Sequence, residues 1–184
     1  MKQFDVLGVV HHLRDTLETA AIDYAVSGAI ALGYWTAPRA TLDVDIALDV
    51  APAGLPTLLE TLTAAGCDLR EDALERAQFG DFGARLGGIR VDFFLPVLPI
   101  SVDAMRRRVR MPFADTTLWI FTAEDLAIFK LIFGRTKDFA DLELLFAAQR
   151  ERLDCGYIER QITRIFDPAE PRLERFRELV RLAR

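Results

Sequence analysis

Residues 42–48 carry larger aliphatic side chains at every second position, with Asp43 and Asp45 between the first three of them, and this alternation constrains the fold more than any other feature of the chain. Successive side chains of a β-strand point to opposite faces. The segment therefore predicts a strand from which Asp43 and Asp45 leave one face together, while the aliphatic residues pack behind them. Two carboxylates at this spacing can share a divalent cation such as Mg²⁺, which prefers oxygen ligands. Taken alone, the pattern equally fits a half-exposed strand whose aspartates face water.

A short apolar run, residues 24–26, precedes Ser27-Gly28, and a helix-like apolar segment follows. A strand, a glycine turn and a helix N-terminus present backbone N–H groups and the positive end of the helix dipole to an anion. The order predicts a phosphate-binding corner just before the acidic strand. Arg39 lies in the loop between them, where its guanidinium can pair with phosphate or, in an empty site, with Asp43 or Asp45.

A third carboxylate candidate lies in a predicted hairpin. Gly87-Gly88 separates two strand-like runs, residues 82–86 and 89–95, and two glycines between such runs are typical of a tight hairpin turn. Asp92 has the opposite parity to the apolar residues of its run. It is a candidate metal ligand, although a solvated strand aspartate fits the same pattern.

Thr122 and Asp125 form a capping box ahead of apolar residues at helical spacing, which predicts a helix that carries Lys130. Gly134 ends this helix, and Thr136 is predicted to cap the next one.

Asp138 and Asp141 lie in that second helix along the edge of an apolar stripe. Acids against a core need partners, and Lys130 and Arg135 are the nearest cations in the sequence. A salt bridge that only positions Lys130 and a direct role of Asp141 in a site both fit the spacing.

Further helices are predicted at 4–21, 53–65, 153–166 and 173–183, a short helical piece from Ser101, and a strand at 116–121, whereas 71–76 reads as a surface connection. The fold class predicted is α/β (α+β), with a small mixed sheet flanked by helices and followed by a helical C-terminal part.

Two groups of residues, in this order, resemble a known family. The first resembles the minimal nucleotidyltransferase fold of the DNA polymerase β superfamily and consists of Ser27, Gly28, Arg39, Thr41, Asp43, Asp45 and Asp92. The second is similar to the AbiEii-type toxin nucleotidyltransferases and consists of Thr122, Leu126, Lys130, Arg135, Lys137, Asp138, Asp141 and Leu142. The resemblance implies a nucleotidyltransferase-like core over residues 1–121 and a helical part over residues 122–184 packed on it.

The resemblance further implies transfer of a nucleoside monophosphate from a nucleoside triphosphate to a hydroxyl of tRNA, protein or a small molecule. It implies two Mg²⁺ ions, or Mn²⁺ in their place, held by Asp43, Asp45 and Asp92, with Lys130 and Asp141 also catalytic. The implied nucleotide-binding residues are Ser27, Gly28, Arg39, Thr41, Lys130 and Arg135. A toxin role and an antitoxin partner are further expectations from the same resemblance. The amphipathic helices predicted after residue 149 either cap the core or mediate self-association.

Composition narrows the functional classes. The chain has 184 residues, of which 51% are hydrophobic, which suffices for a sizeable core. Its net charge of −5 disfavours nucleic-acid binding through overall charge, although arginines at 106–110 could form a local basic patch. Two distant cysteines suggest neither a disulfide framework nor a metal knuckle. Without a signal-peptide pattern or a long apolar run, we expect a cytoplasmic protein without a membrane span.

Two other classes compete with an enzyme. One is a catalytically silent nucleotide-binding or regulatory module, because fold does not fix function. The other is a nucleic-acid-binding partner protein that acts through residues 106–110.

Overall fold

The computed structural model describes residues 5–183, which form seven strands and nine α-helices. The strands are β1 Asp23–Val26, β2 Asp43–Asp49, β3 Asp68–Leu69, β4 Asp81–Leu86, β5 Ile89–Phe94, β6 Val109–Phe113 and β7 Thr116–Ile120. The helices are α1 Val6–Thr19, α2 Gly28–Trp35, α3 Leu55–Ala64, α4 Ala73–Phe79, α5 Pro99–Arg107, α6 Ala123–Phe133, α7 Thr136–Gln149, α8 Cys155–Ile162 and α9 Pro171–Ala183. The predicted opening helix is confirmed as α1, while Phe4, which was assigned to it, lies outside the described residues.

All seven strands join one sheet in the order β3-β4-β5-β2-β1-β7-β6. The pairs β2–β5 and β1–β7 are parallel, and the other neighbours are antiparallel. The predicted mixed α/β fold is therefore confirmed. The acidic strand β2 lies in the middle of this sheet, where its neighbours on both sides fix its register.

The alternation in β2 has the predicted structural outcome. Val44, Ile46 and Leu48 are buried, while Asp43 and Asp45 are half-buried on the other face. Burying aliphatic side chains of this size stabilises a fold by about 1.5–3 kcal/mol each. A one-residue slip of β2 would bury the two aspartates instead, so the core specifies which face carries the acids.

The predicted hairpin is confirmed between β4 and β5. Gly87 and Gly88 have φ angles of 58° and 88°, and a two-residue turn with positive φ at both positions matches the twist of the flanking strands. Val91 and Phe93 are buried, and Asp92 is half-buried on the opposite face. The hairpin thus places Asp92 on the side of the sheet that its parity predicts.

The prediction of a surface connection at residues 71–76 is wrong, because α4 begins at Ala73. Its buried positions are the small residues Ala73 and Ala77, which give little of the hydrophobic contrast from which a helix is recognised in a sequence. Gly80 ends the helix in the left-handed conformation. Strand β6 was also missed, because Arg110 within it reads as part of the basic cluster at residues 106–110.

The chain forms two compact units. The first extends to Ile30 and continues over Ala40–Phe121, so it contains the whole sheet with α1, α3, α4 and α5. The second comprises Ala31–Arg39 and the chain from Thr122 onward, which includes α6–α9. The division falls inside α2. Among residues 5–183, no helix combines the length and the apolar composition that crossing a membrane requires.

Candidate active site

Two neighbouring strands of the first unit bring three carboxylates and one guanidinium onto one face of the sheet. In the parallel register of β2 and β5, Asp45 is the partner of Asp92, and Asp43 is the partner of Arg90. Partner residues on adjacent strands point to the same side. Asp43, Asp45 and Asp92, which the sequence nominated as metal ligands, are thus placed together, with Arg90 as a fourth member. We call these four residues the acidic quartet.

Two of the carboxylates have defined hydrogen-bond partners. The Arg90 Nε lies 3.0 Å from Oδ1 and 2.9 Å from Oδ2 of Asp92. The Thr41 hydroxyl donates to Oδ1 of Asp43 and also lies 3.3 Å from the Asp43 backbone oxygen. Thr41, predicted to bind nucleotide, therefore orients an acid of the quartet.

The negative charge of the quartet acts on Arg90. The pKa of the Arg90 guanidinium is raised above its ordinary value, first by its hydrogen bond to Asp92, then by the charge of Asp92, and further by the charges of Asp43 and Asp45. All three carboxylates are therefore close enough to contribute to the same local potential. A cation placed on this face is stabilised by that potential.

The Ser27-Gly28 turn is held directly against Asp45. The Ser27 backbone N–H donates to the Asp45 backbone oxygen over 2.9 Å. Gly28 has a φ of +59°, and a Cβ atom built on it would lie only 1.8 Å from Oδ2 of Asp45. Only glycine permits both the left-handed backbone and this close approach. The first turn of α2 consequently begins beside the carboxylate of Asp45.

We expect Gly28→Ala to disrupt the site and to lower the free energy of unfolding. The left-handed conformation costs a side chain about 1–2 kcal/mol, and the new methyl group must also displace the Asp45 carboxylate. The matched control is Gly83→Ala on β4, because a Cβ atom there meets Oδ1 of Asp92 at an ordinary 3.5 Å. Urea unfolding of both variants checks the prediction, and equal stability of the two would contradict it.

A second charged cluster lies within the second unit. The Lys130 Nζ is 2.6 Å from Oδ2 of Asp141, and Arg39 makes two hydrogen bonds to Asp141, from Nε over 3.0 Å and from a terminal nitrogen over 3.1 Å. Arg135 makes a similar two-point contact with Asp138, over 2.7 and 3.1 Å. Lys130, Asp138 and Asp141 are all buried. The predicted partnership of these acids with Lys130 and Arg135 is confirmed, and Arg39 joins it.

Two opposing effects act on the pKa of Asp141. Burial favours the neutral acid, but hydrogen bonds from Arg39 and Lys130, and then their charges, outweigh burial and lower the pKa of Asp141 below its ordinary value. The carboxylate is therefore ionised at neutral pH and fixes two cations at once.

The start of α7 differs from the prediction that Thr136 caps it. Thr136 is the first helical residue, and Arg135 occupies the capping position. The backbone N–H of Arg135 donates to Oδ2 of Asp138 over 3.1 Å. The side chain of Asp138, and not that of Thr136, therefore accepts a hydrogen bond from the backbone at the start of the helix. The Arg135 guanidinium also lies 5.1 Å from the centre of the Phe133 ring.

Asp125, recognised in the sequence only as a helix cap, is a fully buried carboxylate of the second unit. Its Oδ2 accepts a hydrogen bond from the Thr122 hydroxyl over 2.6 Å, and its Oδ1 accepts one from the Tyr157 hydroxyl over 2.8 Å. The second contact fixes α8 to α6.

We expect Tyr157→Phe to lower the free energy of unfolding by about 1–3 kcal/mol, because a buried acceptor loses a donor. The effect should largely vanish in an Asp125→Leu background, which removes the acceptor. A double-mutant cycle by urea unfolding makes this comparison, and an equal cost in both backgrounds would show that the contact contributes little.

The acidic quartet matches a divalent cation in its donor chemistry. Carboxylate oxygens are the ligands that Mg²⁺ prefers, and Asp45 and Asp92 lie side by side. Within residues 5–183, no three His, Cys, Asp or Glu side chains already converge with metal-binding geometry. The contact of both Asp92 oxygens with Arg90 is consistent with this, because that carboxylate is directed to the guanidinium.

Comparison with known proteins agrees with this architecture. The chain is similar to the solved structure of ANT(2'')-Ia in complex with adenylyl-2''-tobramycin, with 12% identity and a TM-score of 0.57 over 94% of this chain and 97% of that one. It is also similar to a nucleotidyltransferase-like protein from Paracoccidioides brasiliensis, with 15% identity and a TM-score of 0.53 over 91% of each chain. The fold is nucleotidyltransferase-like.

A third solved structure with this nucleotidyltransferase-like fold is the lincosamide antibiotic adenylyltransferase LnuA with bound lincomycin. It shares 12% identity with this chain and a TM-score of 0.53, over 74% of this chain and 93% of that one. No protein-family model and no curated protein matches the sequence. The resemblance to AbiEii-type toxins stays a prediction.

On this nucleotidyltransferase-like fold, sequence reasoning missed one residue of the quartet. Arg90 precedes Asp92 by two positions and so shares its face, which was a readable signal. Its effect on Asp92 depends on the side-chain contact, which the pattern does not reveal.

Proposed function

We propose that this protein is a metal-dependent nucleotidyltransferase that transfers a nucleoside monophosphate from a nucleoside triphosphate to a hydroxyl acceptor. The observation that carries the proposal is the register of β2 and β5, which places Asp43, Asp45 and Asp92 on one face of a nucleotidyltransferase-like sheet. The contact of Gly28 with Asp45 supports it, because the glycine turn adjoins the acids. Fold similarity alone would not suffice.

In the proposed mechanism, Asp43, Asp45 and Asp92 would hold Mg²⁺, which would neutralise the triphosphate and stabilise the entering and leaving oxygens. Asp92 accepts the proton of the attacking hydroxyl. The hydroxyl oxygen bonds to the α-phosphorus as the bond to the bridging oxygen breaks, and pyrophosphate leaves with that electron pair. Thr41 orients Asp43 through its hydrogen bond. The Ser27 backbone N–H is already bonded to the Asp45 backbone oxygen, so the Ser27 side chain, Gly28 and the backbone N–H groups at the start of α2 bind the outer phosphates.

The cationic residues of the second unit have a proposed role in neutralising phosphate charge. Lys130, Arg39 and Arg135 carry that role from the family resemblance, and their ion pairs with Asp141 and Asp138 support it by holding the cations in fixed positions. We propose that Asp141 acts as a positioning residue for Lys130 and Arg39.

For the acceptor, we propose a small molecule that carries a hydroxyl group. The support is that structural neighbours include a protein bound to an adenylylated antibiotic and an adenylyltransferase of lincosamide antibiotics. A tRNA or protein acceptor, with an antitoxin partner, is the toxin alternative that the AbiEii resemblance implies. We also propose a cytoplasmic location, where Cys67 and Cys155 would stay reduced.

The contacts of the arginines at residues 106–110 weaken the alternative that this is a nucleic-acid-binding protein. Arg108 pairs with Asp23, and Arg110 lies 3.8 Å from Glu18. Both guanidinium groups also lie 4.8 Å from the centre of the Trp119 ring. Arg108 and Arg110 thus pack within the first unit around Trp119, which gives both arginines a structural role that requires no nucleic acid.

Calorimetric titration of each nucleoside triphosphate, with and without Mg²⁺, tests the proposed site. We expect binding that requires Mg²⁺ in the wild type and that Asp43→Asn weakens at least about tenfold, because the variant loses a charged oxygen ligand. Binding that is independent of both Mg²⁺ and Asp43 would favour a silent module. A lack of binding for every nucleotide would reject the proposal.

A further inference from the structure

Arg90 contacts Asp92 in a way that bears on how the acidic quartet binds a cation. Its Nε lies 3.0 and 2.9 Å from the two oxygens of Asp92, so both carboxylate oxygens share one donor. Arg90 also lies opposite Asp43 in the strand register. Its side chain is 65% exposed, whereas that of Asp92 is only 20% exposed. The guanidinium thus covers Asp92 from the solvent side.

The carboxylate of Asp92 cannot bind a guanidinium and a divalent cation at once without a loss of affinity for each. A carboxylate that ligates a hard divalent ion directs oxygen lone pairs to it at about 2.0–2.6 Å. A guanidinium on the same carboxylate leaves some of its lone pairs open, but the two positive charges repel each other, so each weakens the binding of the other. The quartet contains three carboxylates and one guanidinium, so Arg90 already offsets part of the charge that would attract a cation.

We propose that Arg90 is a built-in counter-ion that competes with a divalent cation for Asp92. In the metal-free protein Arg90 stabilises the crowded carboxylates and directs Asp92 to itself. When a cation binds, Asp92 leaves Arg90 to become a ligand. The inference rests on the proposed function, because it takes Asp43, Asp45 and Asp92 as the cation site. Arg90 is here a positioning residue and touches no reacting atom.

Competition between Arg90 and a cation predicts a change in cation affinity that is opposite to the change expected from structural damage. Removal of Arg90 should strengthen cation binding, whereas a merely structural residue would weaken binding when lost. Removal of Arg90 should also destabilise the metal-free protein, because three like charges lose their counter-ion, and a bound cation should compensate for that loss.

The test is calorimetric titration of the full chain with Mn²⁺ alone, without nucleotide, on the wild type and on Arg90→Met. The matched control is Arg85→Met. Arg85 lies opposite Arg90 on β4 and carries the same charge on the same face, but it donates to the Gly88 backbone oxygen over 2.9 Å. Both variants lose one positive charge from this face, so their difference isolates the contact with Asp92.

We expect Arg90→Met to bind Mn²⁺ about fivefold more tightly than the wild type, which is the scale of an exposed ion pair, and Arg85→Met to change the affinity less than about twofold. The melting temperature without metal should fall for Arg90→Met and recover in saturating Mn²⁺. Unchanged or weaker Mn²⁺ binding by Arg90→Met would overturn the inference, and so would equal tightening in Arg85→Met.

An Asp45→Asn variant separates this inference from the proposed function. If wild-type Mn²⁺ binding is lost in Asp45→Asn but is not strengthened by Arg90→Met, the counter-ion inference fails and the proposed cation site stands. If the wild type, Arg90→Met and Arg85→Met all fail to bind Mn²⁺, both proposals fail. Binding by Arg90→Met that the wild type lacks would support the inference.

Discussion

Replacing Asp45 by asparagine is expected to reduce nucleotidyl transfer by at least about 10³-fold, because a metal-bound transition state loses several kcal/mol of charge stabilisation when a ligand loses its charge. Asp45 contacts Gly28 and lies beside Asp92, so it stands at the centre of the proposed site. The measurement is pyrophosphate release with Mg²⁺ and a hydroxyl acceptor.

The fold should survive this substitution. Asparagine has the same shape as aspartate, and loss of one of three clustered negative charges relieves repulsion. The matched control is Asp49→Asn, which makes the same change at an exposed position at the end of β2 and should leave activity within about twofold of the wild type. If both Asp45→Asn and Asp49→Asn retained transfer, the proposed mechanism through Asp43, Asp45 and Asp92 would be contradicted.

The largest expected effect on stability comes from Asp141→Asn. Asp141 pairs with both Arg39 and Lys130, and Lys130 is itself buried. Removal of one partner from a buried ion pair costs about 3–5 kcal/mol, because the remaining charge stays uncompensated. Urea unfolding at pH 7 measures the difference. The control is Glu143→Gln, in the same helix, whose contact with Arg175 is exposed and should contribute less than about 1 kcal/mol.

The contribution of Asp141 has a defined dependence on pH. Its pKa is lower in the folded protein than in the unfolded chain, so its stabilising effect is complete above the unfolded value of about 4 and is lost as pH falls through the folded pKa. The stability difference between the wild type and Asp141→Asn should therefore shrink in acid. A difference that did not begin to shrink once the pH fell below the unfolded value of about 4, or one that was absent at pH 7, would contradict this role of Asp141.

The sheet around the proposed site could largely be predicted from the sequence, because strand periodicity is local. The parity of Val44 and Ile46 against Asp43 and Asp45 sets the two faces of β2, and Gly87-Gly88 sets the hairpin register that orients Asp92. Helix α4 was not predicted, because its buried residues are alanines, whose weak hydrophobicity hardly distinguishes the buried face of the helix from the exposed one.

The charged contacts could be predicted only in part. The pairing of Asp138 with Arg135 is local, so helical spacing indicated it. The contact of Arg39 with Asp141 joins residues 102 positions apart, and no local pattern encodes a meeting at that separation. The sequence offered Asp43 and Asp45 as partners of Arg39 in an empty site and gave no sign of the two-point contact with Asp141. Charge type restricts the partners of an arginine, and the fold selects among them.

The most direct test of the proposed function is transfer of label from nucleoside triphosphates labelled at the α-phosphate to hydroxyl-bearing acceptors, with tobramycin, lincomycin and tRNA as the first three. We expect the wild type to transfer label and release pyrophosphate in a Mg²⁺-dependent reaction. Asp45→Asn should lose both activities, and Asp49→Asn should have normal activity. Transfer that persists in Asp45→Asn would contradict the proposed function. So would nucleotide binding that is independent of both Mg²⁺ and the aspartates, if no acceptor is labelled.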